Sequence, residues 1–144
     1  MNLEQIKTQS NNIAEFSKLY FEYLHSILMN IDSDVFIQFE KILDDIYTKR
    51  NTLFVAGNGG SAATASHIAN DFGMAAQKVG DKEPIKVHAL TDNVSLISAI
   101  ANDDGYDEVF IEQLKIHHNQ NDDLLVISAS GNSENSIKAA RWVK

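Results

Sequence analysis

The sequence contains no cysteine, which removes a disulfide scaffold, a thiolate metal site and a cysteine nucleophile together. Positive charge is scarce as well: 12 Lys and Arg stand against 20 Asp and Glu, a formal net charge of −8. A general nucleic-acid binder needs a basic face, so direct nucleic-acid binding is not expected. No apolar run approaches the roughly 20 residues of a membrane span, and the start, Met1-Asn-Leu-Glu-Gln5, lacks a basic region followed by an apolar core. The expected setting is therefore the cytoplasm, with no membrane partner. With one proline and 44% hydrophobic residues among 144, the chain has the composition of one soluble globular domain, able to bury roughly two thirds of the surface its unfolded form exposes. No internal repeat, low-complexity tract or linker divides it.

What is present is concentrated in Asn51-Thr-Leu-Phe-Val-Ala-Gly57-Asn58-Gly59-Gly60-Ser61 and the Ala-rich segment that follows it. A short apolar strand, a glycine turn and a helix start follow one another there. Glycines remove the Cβ atoms that would hinder close approach, and a helix start presents unpaired N–H groups, so the place suits an anion, above all phosphate. In an acidic protein such a site must act locally, through oriented amides and hydroxyls. Gly57-Asn-Gly59-Gly-Ser-Ala62 also fits the dinucleotide pattern G-x-G-x-x-A. The acid expected ~20 residues on would here be Asp92, roughly 30 residues on and past a polar loop, so no nucleotide cofactor is expected. The bland alternative is a tight turn that needs glycine for its backbone angles.

Apolar spacing of three and four predicts a helix from 3 to about 28, through Ile13, Phe16, Tyr20, Tyr23 and Ile27, and a second from 34 to 50, capped by Ser33 or Asp34. The first carries more apolar surface than a cover helix needs and is expected to form a subunit contact. Strands are predicted at Thr52–Ala56, Ile85–Leu90 and Leu124–Ser128. Helices are predicted from Ser61 to about Ala75, Val94 to Ala101, Tyr106 to His118 and Ser133 onward, with Pro84 in a polar loop. Near-continuous apolar strands alternating with helices mean an α/β fold with a parallel sheet covered on both faces. One domain, 1–144, is expected: a helical segment over 1–50 and an α/β core over 51–144. Three strands leave one edge bare, so the sequence is expected to be the front part of a longer domain.

Such sheets bind ligands at the carboxyl ends of their strands, and a second hydroxyl-bearing turn, Ser128-Ala-Ser130-Gly131-Asn132-Ser133, lies at such an end. Either turn alone could be helix capping; two can converge on one ligand. His67 and Asp71, four apart on the helix leaving the first turn, project from one face. They read either as a surface ion pair or as a general base with its polar partner, or as two ligands of a metal site. His117 and His118 end a helix, where the dipole favours cations. His25 and His88 carry no specific signal.

Gly57-Asn-Gly-Gly-Ser61, His67 with an acid four residues on, Thr91-Asp-Asn93, Ala101-Asn-Asp103 and Ser128-Ala-Ser-Gly-Asn-Ser133 together resemble the sugar isomerase (SIS) domains, and among them the phosphoheptose isomerases. The resemblance covers almost the whole chain. It implies a flavodoxin-like three-layer αβα sandwich preceded by two helices, a homotetramer held by those helices, and active sites at subunit interfaces. It implies that Ser61, Ser128, Ser130 and Ser133 hold the phosphate of a phosphorylated sugar beside Gly59 and Gly60, with Asn58 and Asp92 or Asn93 near the sugar. The acid at Asp71, usually Glu in the family, would move a proton between C1 and C2 of open-chain sedoheptulose 7-phosphate through an enediol. The product would be D-glycero-D-manno-heptose 7-phosphate, a precursor of lipopolysaccharide or capsule. His67 and that acid are zinc ligands in some members. The family also continues beyond the position of Lys144 with strands and a helix that bring a glutamine and a histidine to the site. The other implied function is a non-catalytic module that binds a phosphosugar or a protein such as a replication initiator.

Overall fold

The computed structural model describes residues 2–78 and 83–144, with the backbone alone at 75–77. It divides into two compact units, Met1–Lys41 and Ile42–Lys144.

In the first unit, the single long helix expected over residues 3 to 28 is two helices, α1 (Leu3–Gln9) and α2 (Ile13–Met29). The break is made by capping chemistry that apolar spacing does not register. Asn12 accepts the Glu15 N–H at 3.0 Å, and Glu15 accepts the Asn11 N–H at 2.9 Å, so a second helix start is written into Asn11-Asn12. Asn2 and Gln5 form the reciprocal pair that starts α1. No residue of α2 is buried within the chain; Ile13, Phe21, Leu28 and Met29 are all more than half exposed. The next helix, α3 (Ser33–Lys49), starts one residue before the expected position. Its cap is Asp32 rather than Ser33 or Asp34: the Asp32 carboxylate accepts the Asp34 N–H at 3.0 Å.

The second unit is built on three parallel strands, β1 (Thr52–Gly57), β2 (Lys86–Ala89) and β3 (Asp123–Ile127), in the order β2-β1-β3. Phe54 lies opposite His88 on one side and Leu124 on the other. The period of two along β1 sorts its side chains to opposite faces. Leu53 and Val55 pack with Ile46 of α3 and with Ala65 of α4 (Gly60–Lys78), joined by Ile68 and Phe72. Phe54 and Ala56 pack with Leu90, with Ile100 of α5 (Val94–Asp103), with Leu114 of α6 (Ile111–His117) and with Ala139 of α7 (Glu134–Val143). Helices therefore cover both faces, the αβα sandwich expected from the alternation of elements.

The helix expected over Tyr106–His118 is instead a 3-10 turn, Tyr106–Glu108, followed by α6. Val109 and Phe110, at the joint, are buried in the core, and no polar cap marks the start of α6. The sequence there carries no break signal to read. Of the polar loop expected before β2, residues 79–82 lie outside those described.

Candidate phosphate site at the carboxyl ends of β1 and β3

The chain runs from β1 outward to β2, then returns across β1 to β3. The carboxyl ends of β1 and β3 thus flank the point where the direction of winding reverses, where a sheet of this kind leaves a crevice. Both turns open there. Asn58 and Ser61 from the first, with Ile127, Ser128, Ala129, Ser130 and Ser133 from the second, line one pocket of about 220 Å³. Five of the nine residues expected at the phosphate and sugar are brought together by the fold. Among the described residues, no cationic side chain lines it.

The first turn is held close to its strand. A Cβ on Gly57 would lie 2.7 Å from the Ser61 carbonyl oxygen and 2.8 Å from its Cβ, so only glycine lets the start of α4 sit against β1. Gly59 has φ +56°, the left-handed conformation that glycine adopts without steric penalty. The amide cradle is narrower than the sequence suggests. Ser61 N–H donates to the Asn58 carbonyl and Ala62 N–H to the Gly59 carbonyl, each at 3.0 Å, so those two donors are occupied by the turn itself. Gly59 and Gly60 are not in the wall of the 220 Å³ pocket. In the second turn, Ser128 Oγ accepts the Gly131 N–H (3.1 Å) and Ser130 Oγ accepts the Asn132 N–H (3.2 Å). Each hydroxyl keeps its own proton to donate to an anion. Ser133 stands at the N-cap of α7 with no side-chain capping bond.

Asp92 and Asn93 are placed elsewhere. They line a wider cavity of about 640 Å³ with Val87, His88 and Ser95, beyond the end of β2. Asn93 caps α5 by accepting the Leu96 N–H at 3.0 Å. Asp92 accepts a hydrogen bond from Ser66 of α4, whose hydroxyl also lies 3.1 Å from that of Thr91. On the rim of the same cavity, partial burial and then the neighbouring His117 push the His88 imidazole below its ordinary pKa, with Asp92 acting the other way. The His88 and His117 rings pack at a tilt of 35° with centroids 5.1 Å apart. His88 thus has a packing role that the sequence did not signal.

His67 and Asp71 are joined as the four-residue spacing predicts, Nε2 to Oδ2 at 3.2 Å, with side chains 74% and 56% exposed. They do not line the 220 Å³ pocket of the two turns. Along α4 they stand roughly 9 and 15 Å beyond Ser61, at 1.5 Å per residue. As zinc donors they have the right chemistry but are only two, where a catalytic site takes three protein ligands. Among the described residues no group of three or more His, Asp or Glu gathers to hold a metal. A zinc site therefore does not fit the described residues of one chain.

Two residues that the sequence did not single out complete the pocket's support. Asn135 of α7, 2% exposed, exchanges two hydrogen bonds with Asn58, and Tyr106 donates its hydroxyl to Asn58 Oδ1 at 3.0 Å. No sequence signal identified Asn135, because its partner lies 77 positions away.

A family profile described as the SIS domain matches residues 19–144. The chain belongs to the SIS domain family. This SIS domain is 41% identical to the phosphoheptose isomerase of Aneurinibacillus thermoaerophilus over 100 residues, 69% of this chain and 50% of that protein. It is 34% identical to a probable phosphoheptose isomerase of Thermoplasma acidophilum over 128 residues, 89% of this chain and 69% of the other. The phosphoheptose isomerase structure from Neisseria gonorrhoeae superposes with a TM-score of 0.73 at 29% identity, covering 87% of this chain and 66% of that one. The SIS domain thus spans between 50% and 69% of the length of these relatives. Among its described residues no helix is long and apolar enough to cross a membrane.

Proposed function

We propose that this SIS domain binds the phosphate of an open-chain sugar and belongs to an aldose–ketose isomerase of the phosphoheptose type, converting sedoheptulose 7-phosphate into D-glycero-D-manno-heptose 7-phosphate. The observation that carries the reading is the hydroxyl- and amide-lined pocket where both turns meet, with Asn58, Ser61, Ser128, Ser130 and Ser133 in its wall. Hydroxyls and backbone dipoles recognise a dianion without the basic field this acidic chain lacks. The similarity to phosphoheptose isomerases supports a heptose phosphate as the sugar.

With the phosphate anchored, the Asp71 carboxylate takes a proton from C1 of the ketose. The electron pair forms the C1–C2 double bond of an enediol as the C2 carbonyl oxygen gains a proton. Return of a proton to C2, with loss of one from the C1 hydroxyl, gives the aldose. His67, whose Nε2 lies 3.2 Å from Asp71 Oδ2, carries the proton exchanged between the two oxygens in this reading. Because that pair is exposed and does not line the pocket of its own chain, the complete site needs groups from outside these residues. A second copy, contacting through the apolar face of α2 in a homotetramer, is the source we favour, and the cytoplasm is the expected setting. Any zinc held by His67 and Asp71 would need further ligands of the same origin.

A non-catalytic phosphosugar-binding module is the second reading, favoured by the exposure of His67 and Asp71. The test is incubation of the full-length protein with sedoheptulose 7-phosphate, followed for aldose formation, alongside Asp71→Asn. The isomerase reading expects turnover that Asp71→Asn abolishes while phosphosugar binding survives. Binding without turnover establishes the module instead, and turnover unchanged in Asp71→Asn removes Asp71 from the mechanism.

A further inference from the structure

The four residues Asn58, Tyr106, Asn135 and Ser136 form a hydrogen-bonded chain whose polarity is fixed from one end. The Ser136 backbone N–H donates to Asn135 Oδ1 at 2.8 Å, and a backbone amide can only donate. That atom of Asn135 must therefore be the oxygen, and the Asn58 atom that meets it at 2.9 Å must be nitrogen. Asn58 Oδ1 is then turned to accept from Asn135 Nδ2 and from the Tyr106 hydroxyl, both at 3.0 Å. Both acceptor positions of the Asn58 oxygen are filled, and one N–H remains on a side chain that lines the phosphate pocket. Asn58 can offer the pocket a donor and nothing else, as an anion requires.

The same contact changes what Ser133 does. A serine at the N-cap ordinarily accepts the N–H of the second or third helical residue. In α7 the third is Ser136, and its N–H is already taken by Asn135. Ser133 Oγ makes no capping bond and stands free in the pocket wall.

We infer that Asn135 is a positioning residue for phosphate binding: by taking over the helix cap it releases the Ser133 hydroxyl to the ligand, and with Tyr106 it locks Asn58 as a donor and ties the two turns at fixed separation. This rests on the phosphate reading of the pocket. It concerns a buried side chain that does not itself line the pocket.

Titration calorimetry with inorganic phosphate, on the full-length protein, tests it. Asn135→Ala frees the Ser136 N–H, Ser133 swings back to cap it, and phosphate affinity falls about tenfold, as expected for one lost hydrogen bond to a charged group. Ser133→Ala costs a similar factor. The double variant should fall well short of the roughly hundredfold product, since both changes remove the same hydroxyl from the ligand. Tyr106→Phe, at a half-exposed position, should weaken phosphate binding severalfold with an unchanged melting temperature, and decides the matter if Asn135→Ala does not fold. Fully multiplicative effects, or a lowered melting temperature with unaltered phosphate affinity, would overturn the inference. Phosphate binding that Ser61→Ala weakens but Asn135→Ala and Tyr106→Phe leave alone overturns it while sparing the pocket. A wild-type protein that binds no phosphate removes both.

Discussion

Gly57→Ala is the most direct probe of how the fold serves the pocket, because its effect follows from distances alone. The new Cβ would meet the Ser61 carbonyl oxygen at 2.7 Å and the Ser61 carbonyl carbon and Cβ at 2.8 Å, where ordinary contact begins at 3.4 Å. Two of these three atoms are backbone, so no rotamer change relieves the clash. The first turn of α4 must move away from β1 by about 0.7 Å to restore normal contact. Overpacking of this kind costs roughly 1–3 kcal/mol, and in a chain of this size each kcal/mol is worth about 4 °C of melting temperature. A fall of roughly 4–12 °C is expected in a thermal melt. The displacement also carries Ser61 within the pocket wall, so phosphate affinity should drop about tenfold through a weakened hydrogen bond. Gly60→Ala is the matched control: a Cβ there meets nothing within 4 Å, and the melt should stay within about 2 °C of wild type. A Gly57→Ala protein that melts and binds phosphate like wild type would refute the close-approach account of this turn.

Gln113 of α6 is 1% exposed and donates from Nε2 to the Leu90 carbonyl at 2.9 Å and the Val109 carbonyl at 2.7 Å, while its Oε1 has no partner among the described residues. Gln113→Leu should destabilise by roughly 1–3 kcal/mol in urea unfolding by leaving the Leu90 carbonyl unpaired, and Gln113→Glu by more, since it buries a charge as well; a stable Glu variant would contradict this. Folded His88 binds a proton less readily than unfolded His88 because of burial and His117. Its contribution to stability is therefore full above the unfolded value of about 6.5 and declines as pH falls through it, until the folded imidazole protonates as well. His88→Phe should shrink the loss of unfolding midpoint between about pH 7.5 and 5.5; an equal loss in both proteins would assign that loss to other groups.

Much of the second unit was legible because its cues are short-range. Thr52–Gly57 is a compact apolar run ending in glycine, and its buried alternation of faces follows from the strand period. The two glycine turns at strand ends identified the pocket for the same reason. Elsewhere the cue was present but outweighed: Asn11 and Asn12 are good cap residues, yet the apolar stripe through Ile13 and Phe16 suggested one continuous helix. At Tyr106–His118 the chain turns at Val109 and Phe110 because the core takes both side chains. That is a tertiary cause with no local signature. Asn135 and Gln113 were out of reach for a third reason, since each matters through partners 77 and 23 positions away.

The divergence of Asp92 and Asn93 from the pocket of the two turns has a physical cause in the same topology. They follow β2, which lies on the far side of β1 from β3, and strands stand about 4.8 Å apart. A group leaving the end of β2 starts about two strand spacings from the second serine turn, while Asn58 and Ser61 start only one away. Asn93 is moreover engaged in capping α5, and Asp92 holds Ser66 of α4. The Asp92 contact ties the end of β2 to the helix that carries His67 and Asp71. Under the proposed function, phosphate capture falls to the β1 and β3 turns, and the placement of the candidate proton-transfer pair to α4 and the β2 end. Substitutions in the first set should act on phosphate affinity. Those in the second should act on turnover at saturating substrate, a division that steady-state kinetics resolves as KM against kcat.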